Sequence, residues 1–178
     1  MHLEEICHEI VGLVPVYDQN GDCCRVYRQE ADERTLTAFT EPRTVEIVKR
    51  KLARCHALDL TAQGISLRKN FHRAPPLPFY LHDGRVFVPF KLRLPRVARD
   101  ASYGYLEISI ISRVVPNENG RCSVILNDGT SLPVYTHINS ARLAVYFGIE
   151  IQRDILSCRH GQQREALQAL RILHTYLS

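Results

Sequence analysis

Short runs of apolar residues alternate with turn residues over the first forty positions, which predicts strands joined by tight turns. Residues 9–17 (EIVGLVPVY) and 22–28 (DCCRVYR) are β-like runs on either side of Asn20-Gly21. An Asn-Gly step between apolar runs is a strong hairpin signal, because both residues tolerate positive φ. With a further short strand at 35–39, the pattern predicts an antiparallel N-terminal sheet.

A helix is predicted over residues 43–56, with Pro42 at its start. Proline loses nothing at the first helical position, because its missing N–H would be unpaired there. Apolar residues then recur at the 3.6-residue period of a helix that buries one face. The predicted buried face consists of Val45, Val48, Leu52 and Cys55.

The sequence between residues 64 and 134 is β-like, with turn signals at Asp83-Gly84, Asn119-Gly120 and Asp128-Gly129. Such turns join neighbouring strands directly and so favour an antiparallel meander. The predicted strands are 77–81, 85–90, 105–115, 121–126 and 131–135. Residues 91–104 have no clear period and are predicted to form a basic loop between strands.

The last forty residues change to a helical period, and His160-Gly161 predicts a break between two helices at 139–157 and 162–177. We expect the two helices to pack against each other through their apolar stripes. These stripes are Leu143, Phe147, Ile151 and Ile155 in the first helix, and Ala166, Leu170, Leu173 and Leu177 in the second. The predicted fold is therefore α+β, a single domain over 1–178. It is a mostly antiparallel β-sheet meander with one helix after the N-terminal strands and two C-terminal helices.

Composition agrees with a protein that has a packed core. The chain has 178 residues, of which 45% are hydrophobic and 24% charged, and these values are typical of globular domains rather than disordered ones. No apolar run approaches the roughly 20 residues of a membrane helix, and the first residues do not resemble a secretion signal. We therefore expect a cytoplasmic, nucleoid-associated location, no membrane partner and reduced cysteines.

Motifs of enzymes and metal sites are not found in the sequence. It contains no GxxxxGK[ST], GxGxxG, HExxH or GxSxG pattern, so we predict that the protein is not an enzyme. The six cysteines stand at positions 7, 23, 24, 55, 122 and 158, without the CxxC spacing of common zinc sites. The sequence thus predicts no metal site and no cofactor.

Charge is the strongest positive signal. Residues 60–99 carry eight basic side chains and one acidic side chain, whereas residues 1–41 carry three basic and nine acidic ones. A basic segment of this kind is typical of a polyanion-binding surface, although a charged loop that covers a sheet edge has the same composition. Arginines at 91–99 are predicted to enter an A·T-rich minor groove. The candidate DNA-binding residues are Arg68, Lys69, Arg73, Lys91, Arg93, Arg96 and Arg99.

Five short motifs follow one another in an order found in a known family. They are GIS at 64–66, RAPPL at 73–77, VFVP at 86–89, YLEIS at 105–109 and VILNDGTSLPV at 124–134. Over roughly residues 10–155 this order resembles the ComK family, the competence transcription factors of Gram-positive spore-forming bacteria. The resemblance implies a transcriptional activator that binds A/T-rich boxes of double-stranded DNA through the minor groove. It also implies a homo-oligomer, a dimer or higher, that switches on competence (DNA uptake) genes.

The sequence departs from that family at residues 56–60 and 138–142, which leaves open whether these stretches contact DNA. The aromatic-Leu-Tyr-Pro tail through which ComK is captured by its adaptor and protease is absent, so that control does not carry over. An alternative is a non-enzymatic protein-interaction module with a sheet-plus-helix (PH-like) architecture. DNA binding predicts that the basic residues of 43–54 and 68–99 converge on one face. The alternative predicts scattered charges and an exposed apolar patch.

Overall fold

The computed structural model describes residues 3–19, 21–30, 35–98 and 100–177, with residues 119 and 160–177 described as backbone only. Over this part of the chain it contains nine strands and three α-helices, and the predicted α+β fold is confirmed. The strands are β1 (Ile10–Asp18), β2 (Gly21–Arg28), β3 (Thr37–Glu41), β4 (Phe79–Tyr80), β5 (Val86–Lys91), β6 (Tyr103–Glu107), β7 (Ile111–Pro116), β8 (Cys122–Leu126) and β9 (Ser131–Val134). The helices are α1 (Val45–Cys55), α2 (Leu60–Phe71) and α3 (Ile138–Leu177).

The strands form a large sheet in the order β3-β2-β1-β6-β5-β4 and a small sheet in the order β7-β8-β9. Every pairing in both sheets is antiparallel, as the turn signals predict. The β1–β2 turn uses a positive φ of 115° at Gly21, and the β4–β5 turn uses 90° at Gly84. These are the backbone conformations for which a glycine is needed.

The predicted continuous strand at 105–115 is wrong. A 3₁₀ turn at Ile108–Ile110 separates β6 from β7, so that one apolar run supplies a strand to each sheet. Asn127 holds this turn, because its backbone N–H donates to the Ile110 carbonyl (2.9 Å) and its side-chain amide to the Ser109 carbonyl (2.7 Å). The break between β6 and β7 therefore depends on Asn127, a residue that is distant in sequence from the turn it holds.

Apolar side chains alternate between the two faces of the large sheet and produce three layers. Phe87 faces α1 and packs in one core cluster with Val48 and Leu52. Its neighbours Val86 and Val88 face the opposite side and share a second cluster with α3 and the small sheet. Helix α1 and helix α3 thus lie on opposite faces of the large sheet.

Helix α1 begins later than predicted, because Thr44 precedes its first residue and Pro42 lies outside it. Three of the four residues of the predicted apolar face are buried against the sheet: Val45, Val48 and Leu52. Cys55 is instead exposed at the end of the helix, which corrects the predicted face.

Helix α2 is the element that the sequence analysis missed, since residues from 64 onwards were predicted to be β-like. Its start is capped by Asp59, whose Oδ1 accepts the N–H groups of Thr61 (2.9 Å) and Ala62 (3.0 Å). Only Leu67 is buried among its residues. A helix that buries a single residue shows almost no apolar periodicity, which is why the pattern did not reveal it.

Helix α3 is one helix of 40 residues and replaces the two predicted C-terminal helices. A glycine inside a helix costs only about 1 kcal/mol relative to alanine, and the residues after Gly161 are good helix formers, so the helix continues. The predicted packing of two helices on each other is therefore wrong.

The predicted apolar stripe of α3 is correct at three of its first four positions. Phe147 and Ile151 are buried and Ile155 packs against the core, but Leu143 is 47% exposed. The second stripe, Ala166 to Leu177, lies outside the residues whose side chains are described. In the described ranges, no helix combines the length and the apolarity needed to cross a membrane.

Candidate nucleic-acid interface

Two of the candidate DNA-binding residues, Arg73 and Lys91, line the same cleft. The cleft has a volume of about 200 Å³ and lies beside the first turns of α3. Both polar and apolar side chains line it. The lining includes Arg73, Lys91, Tyr103, Thr136, Ser140 and Phe147.

Arg73 reaches the cleft because α2 ends directly before it. His72 closes the helix with a left-handed backbone (φ 52°), and its N–H donates to the Arg68 carbonyl (2.9 Å). The Arg73 guanidinium then lies over the Phe147 ring, 4.7 Å from its centroid. Phe71 meets the same ring edge-on at 4.7 Å. Arg73 is thus placed by aromatic contacts.

Lys91 is the last residue of β5 and stands where that strand, β6 and the start of α3 meet. Its backbone pairs with Tyr103 of β6. Its carbonyl accepts the N–H of Tyr135 (2.8 Å), which ties the end of β5 to the segment leading into α3. The position of Lys91 in the cleft is therefore set by the sheet.

The first turn of α3 adds a positive electrostatic contribution to the cleft. The N-terminus of a helix carries about half a positive charge through the aligned peptide dipoles. His137 caps this end, because its Nδ1 accepts the Asn139 N–H (3.2 Å) and its carbonyl accepts the N–H groups of Ser140 (2.9 Å) and Ala141 (3.2 Å). This end of the helix and the hydroxyl-bearing Thr136 and Ser140 line the cleft together with Arg73 and Lys91.

Five candidate residues have no carboxylate partner among the described residues. Arg68, Lys69 and Arg96 are exposed, and Arg73 and Lys91 are partly exposed. Within the described part of the chain, none of the five forms an ion pair with a carboxylate. Arg68 and Lys69 stand in the last turn of α2, immediately before Arg73. These five residues are called the basic surface below.

Arg93 does not belong to the basic surface, although the sequence predicted it to enter a groove. Its side chain is buried and forms an ion pair of 2.8 Å with Asp22. The same guanidinium donates to the carbonyls of Val16 (2.8 Å) and Ala101 (2.9 Å). Its charge and hydrogen bonds are satisfied inside the protein, which corrects the prediction. Arg99, another predicted residue, lies outside the described residues.

The loop between β5 and β6 has an ordered tip built around Tyr17 and Asp100. The Tyr17 ring lies between the guanidinium groups of Arg93 (4.0 Å) and Arg96 (4.2 Å). Asp100 accepts the Tyr17 hydroxyl and the N–H groups of Arg96 (3.2 Å) and Val97 (3.1 Å). The hydrogen bond from Tyr17 lowers the pKa of Asp100. Desolvation of the Tyr17 hydroxyl raises the pKa of Tyr17, and the hydrogen bond to Asp100 raises it further.

This loop therefore presents residues 94–98 as a fixed projection. Leu94 is 49% exposed and Val97 is 66% exposed, and Arg96 lies between them. Lys91 and Tyr103, which line the cleft, form the base of the same loop. The ends of β5 and β6 thus connect the cleft to the loop that carries Arg96.

The basic residues of α1 do not join that surface. Helix α1 lies on the opposite face of the large sheet from α3. Lys49 and Arg50 of α1 pair with Glu46, Lys51 pairs with Glu4, and Arg43, just before the helix, pairs with Glu41. Arg54 in the last turn has no carboxylate partner among the described residues. The expected convergence of 43–54 with 68–99 is therefore not observed.

An exposed apolar groove is also present, a feature that the sequence analysis expected of a protein-interaction module. It runs between α3 and the β7 side of the small sheet. Tyr146 is 60% exposed and Ile149 is 44% exposed along it. The lining includes Ile108, Ile111, Val114, Val145, Tyr146 and Ile149.

The sequence analysis also missed a cluster of metal-ligating residues at the other end of the molecule. Potential ligand atoms of Cys7, His8 and His56 lie within 4.8 Å of one another. The available signal was the Cys-His dipeptide, which occurs at 7–8 and again at 55–56. The expectation of no metal site considered only CxxC spacing, which such a pair of dipeptides does not have.

Comparison of the chain with protein-family models, with curated proteins and with solved structures finds no match.

Proposed function

We propose that this protein is a DNA-binding transcriptional activator of the ComK type, which binds A/T-rich promoter boxes through the minor groove and switches on competence (DNA uptake) genes. The observation that carries the proposal is the cleft in which Arg73 and Lys91 meet the start of α3, beside the projecting loop 94–98. Double-stranded DNA is the proposed partner, and no catalytic role is assigned to any residue.

The cleft suits a backbone phosphate. Arg73 can donate two parallel hydrogen bonds to phosphate oxygens, and Lys91 adds a second positive charge. Most protein–DNA hydrogen bonds go to the sugar-phosphate backbone and fix the orientation of the protein on the duplex. In this proposal the cleft fixes the position of the protein, and sequence preference arises elsewhere.

The loop tip supplies that preference. Narrow A·T-rich minor grooves have an enhanced negative potential that attracts inserted arginines, and proteins that bind there also insert apolar side chains between base steps. Arg96 is flanked by the exposed Leu94 and Val97, so the tip presents both kinds of group. Pro95 and the Asp100 hydrogen bonds hold it in place, which reduces the entropy lost on binding.

A binding assay on A·T-rich and G·C-rich duplexes of equal length tests the proposal. We expect wild-type protein to prefer the A·T-rich duplex, and Arg96→Ala to reduce that preference. Lys91→Ala is expected to weaken binding to both duplexes equally, because a phosphate contact carries no sequence information. Arg25→Ala is the matched control, since Arg25 is an exposed arginine of β2 outside the basic surface.

The proposal fails if wild-type protein binds neither duplex at low salt. It also fails in its minor-groove part if Arg96→Ala retains the full A·T preference. Circular dichroism of each variant confirms that the fold is retained, so that loss of binding is not a loss of structure.

A protein-interaction module is the second candidate function, and the exposed groove along α3 favours it. A large contiguous patch of exposed apolar side chains usually marks an interaction site, whereas single exposed apolar residues are common on any protein surface. The same groove is the proposed contact between copies in a homo-oligomer of the activator. Tyr146→Lys separates the two functions: in the activator it reduces self-association and DNA affinity together. If the protein is an interaction module, Tyr146→Lys removes partner binding, and neither the wild type nor the variant binds duplex DNA.

A further inference from the structure

Two Cys-His dipeptides that are far apart in sequence meet in the fold. Cys7-His8 ends the segment before β1, and Cys55-His56 ends α1. The ligand atoms of Cys7, His8 and His56 lie within 4.8 Å of one another, and the rings of the two histidines are 5.2 Å apart. Cys55 directly precedes His56 and is exposed at the end of α1. Three side chains that can bind a soft metal thus lie close together, with a further thiol beside them in the chain.

The backbone on both sides of this cluster is held in place. Leu3, Ile6 and Cys7 are buried in the core beneath α1. Arg85 donates to the His8 carbonyl (2.8 Å) and pairs with the buried Glu107 (2.6 Å), so the N-terminal segment is fixed to the sheet. These contacts fix the backbone that carries Cys7 and His8.

The end of α1 positions the other two side chains. The N–H of His56 donates to the carbonyls of Leu52 (3.3 Å) and Ala53 (3.2 Å), and Ala57 then turns away with a positive φ of 51°. Nε2 of His56 lies 3.4 Å from the Cys7 carbonyl oxygen. A carbonyl only accepts, so this contact is a hydrogen bond in the tautomer that carries the proton on Nε2, and that tautomer keeps the metal-binding lone pair on Nδ1. A backbone carbonyl is the usual second partner of a metal-bound histidine.

The distances between the ligand atoms become those of a tetrahedral zinc site when the side chains move slightly closer together. Zinc binds sulfur at about 2.3 Å and nitrogen at about 2.0–2.1 Å, so tetrahedral geometry places neighbouring ligand atoms about 3.3–3.8 Å apart. The ligand atoms of Cys7, His8 and His56 already lie within 4.8 Å of one another, so side-chain movements of about 1 Å bring them to this spacing. Thiolate and imidazole ligands select zinc over calcium or magnesium, which prefer oxygen ligands.

We propose that Cys7, His8 and His56 bind one structural Zn²⁺ that fastens the N-terminal segment to the end of α1, and that Cys55, next to His56 in the chain, turns in as the fourth ligand. Four protein ligands fill the tetrahedral coordination and leave no position for a substrate, which is the pattern of structural rather than catalytic zinc. Because the cluster lies beside α1, across the large sheet from α3, this inference is independent of DNA binding by the basic surface.

Metal analysis of the untagged protein, purified in reducing buffer without chelator, tests the inference. We expect about one zinc per chain in the wild type. The metal content is expected to fall strongly in Cys7→Ser, Cys55→Ser and His8→Asn. His8 is exposed, so His8→Asn preserves the fold even if substitution of the buried Cys7 does not. The matched controls Cys158→Ser and His82→Asn, both exposed and outside the cluster, are expected to retain the zinc.

Cobalt replacement gives a second readout. Co²⁺ in a tetrahedral site with thiolate ligands develops intense visible and sulfur-to-metal charge-transfer absorption, which we expect in wild-type protein and not in Cys55→Ser. Failure of the wild type to retain zinc or to give this spectrum would overturn the proposal. An intact mass showing a Cys7–Cys55 disulfide in the metal-free protein, with no zinc uptake after reduction, would also overturn it.

Discussion

At the residue scale, Arg93 shows why a charged residue in a basic segment need not face the solvent. Its guanidinium is enclosed by Asp22, the carbonyls of Val16 and Ala101, and the ring of Tyr17. A buried guanidinium is tolerated only when its charge is paired and its donors are used, and both conditions are met here. Arg93 shapes the loop from which Arg96 projects.

Removal of Arg93 is expected to destabilise the protein rather than to alter DNA recognition selectively. Breaking one partner of a buried ion pair costs about 3–5 kcal/mol, because the remaining charge is left without compensation. We therefore expect Arg93→Ala to lower the free energy of unfolding by about that amount in urea titration. Arg96→Ala, which removes an exposed cation over the same tyrosine, should lower it by less than about 1 kcal/mol. Equal stability of the two variants would contradict the structural role of Arg93.

The sequence could not reveal this distinction. Arginines 93 and 96 occur in the same LRLPR stretch with similar neighbours. What separates them is the approach of Val16 and Asp22, more than seventy positions earlier in the chain. A local pattern records charge, whereas burial of that charge depends on which distant strand lies beside it.

At the element scale, local signals predicted the elements that are specified locally. The Asn-Gly and Asp-Gly turns and the alternation of apolar residues identified β1, β2, β5, β8 and β9 correctly, because turn chemistry and side-chain period act over a few residues. The missed features depend on tertiary contacts: α2 buries only Leu67, and the break before β7 is held by Asn127.

Docking of α3 on the large sheet depends on one glycine. A Cβ at Gly148 would overlap Val88 Cγ1 of β5 and would lie 2.7 Å from Ile108 Cγ2. The absence of a side chain therefore lets α3 approach the sheet closely enough to bury Phe147 and Ile151. The position of the cleft, whose wall is the start of α3, follows from this contact.

Gly148→Ala is expected to destabilise the protein. Overpacking in a core costs about 1–3 kcal/mol, which exceeds the 0.5–1 kcal/mol gained by replacing glycine with alanine in a helix. Thermal unfolding should show a lower midpoint for Gly148→Ala, while Ser157→Ala on the exposed part of α3 should stay within about 0.5 kcal/mol of wild type. A stabilised Gly148→Ala variant would show that α3 does not pack closely at this position.

At the scale of the whole molecule, the three layers divide the basic residues between two faces. The cations of α1 lie on one face, and three of the four, Lys49, Arg50 and Lys51, form ion pairs with carboxylates. The basic surface lies by the start of α3 and the end of α2, and its cations have no such partners among the described residues. The net charge of +4 therefore understates the local positive potential. It also means that few cations are available for DNA.

The number of available cations sets a quantitative expectation. Each phosphate neutralised on duplex DNA contributes about 0.9 to the slope of log affinity against log salt. If each of the five cations in the basic surface neutralises one phosphate, they contribute about 4.5 to the slope per chain. The paired cations of α1 would raise this value only if their ion pairs opened on binding.

The salt dependence of duplex affinity, measured for the wild type, Arg73→Ala, Lys91→Ala and the control Arg25→Ala, tests the central claim most directly. The cleft account predicts that Arg73→Ala and Lys91→Ala each flatten the slope by about 0.9 per chain, and that Arg25→Ala leaves it unchanged. Identical slopes for the wild type and both cleft variants would contradict the assignment of this cleft to DNA.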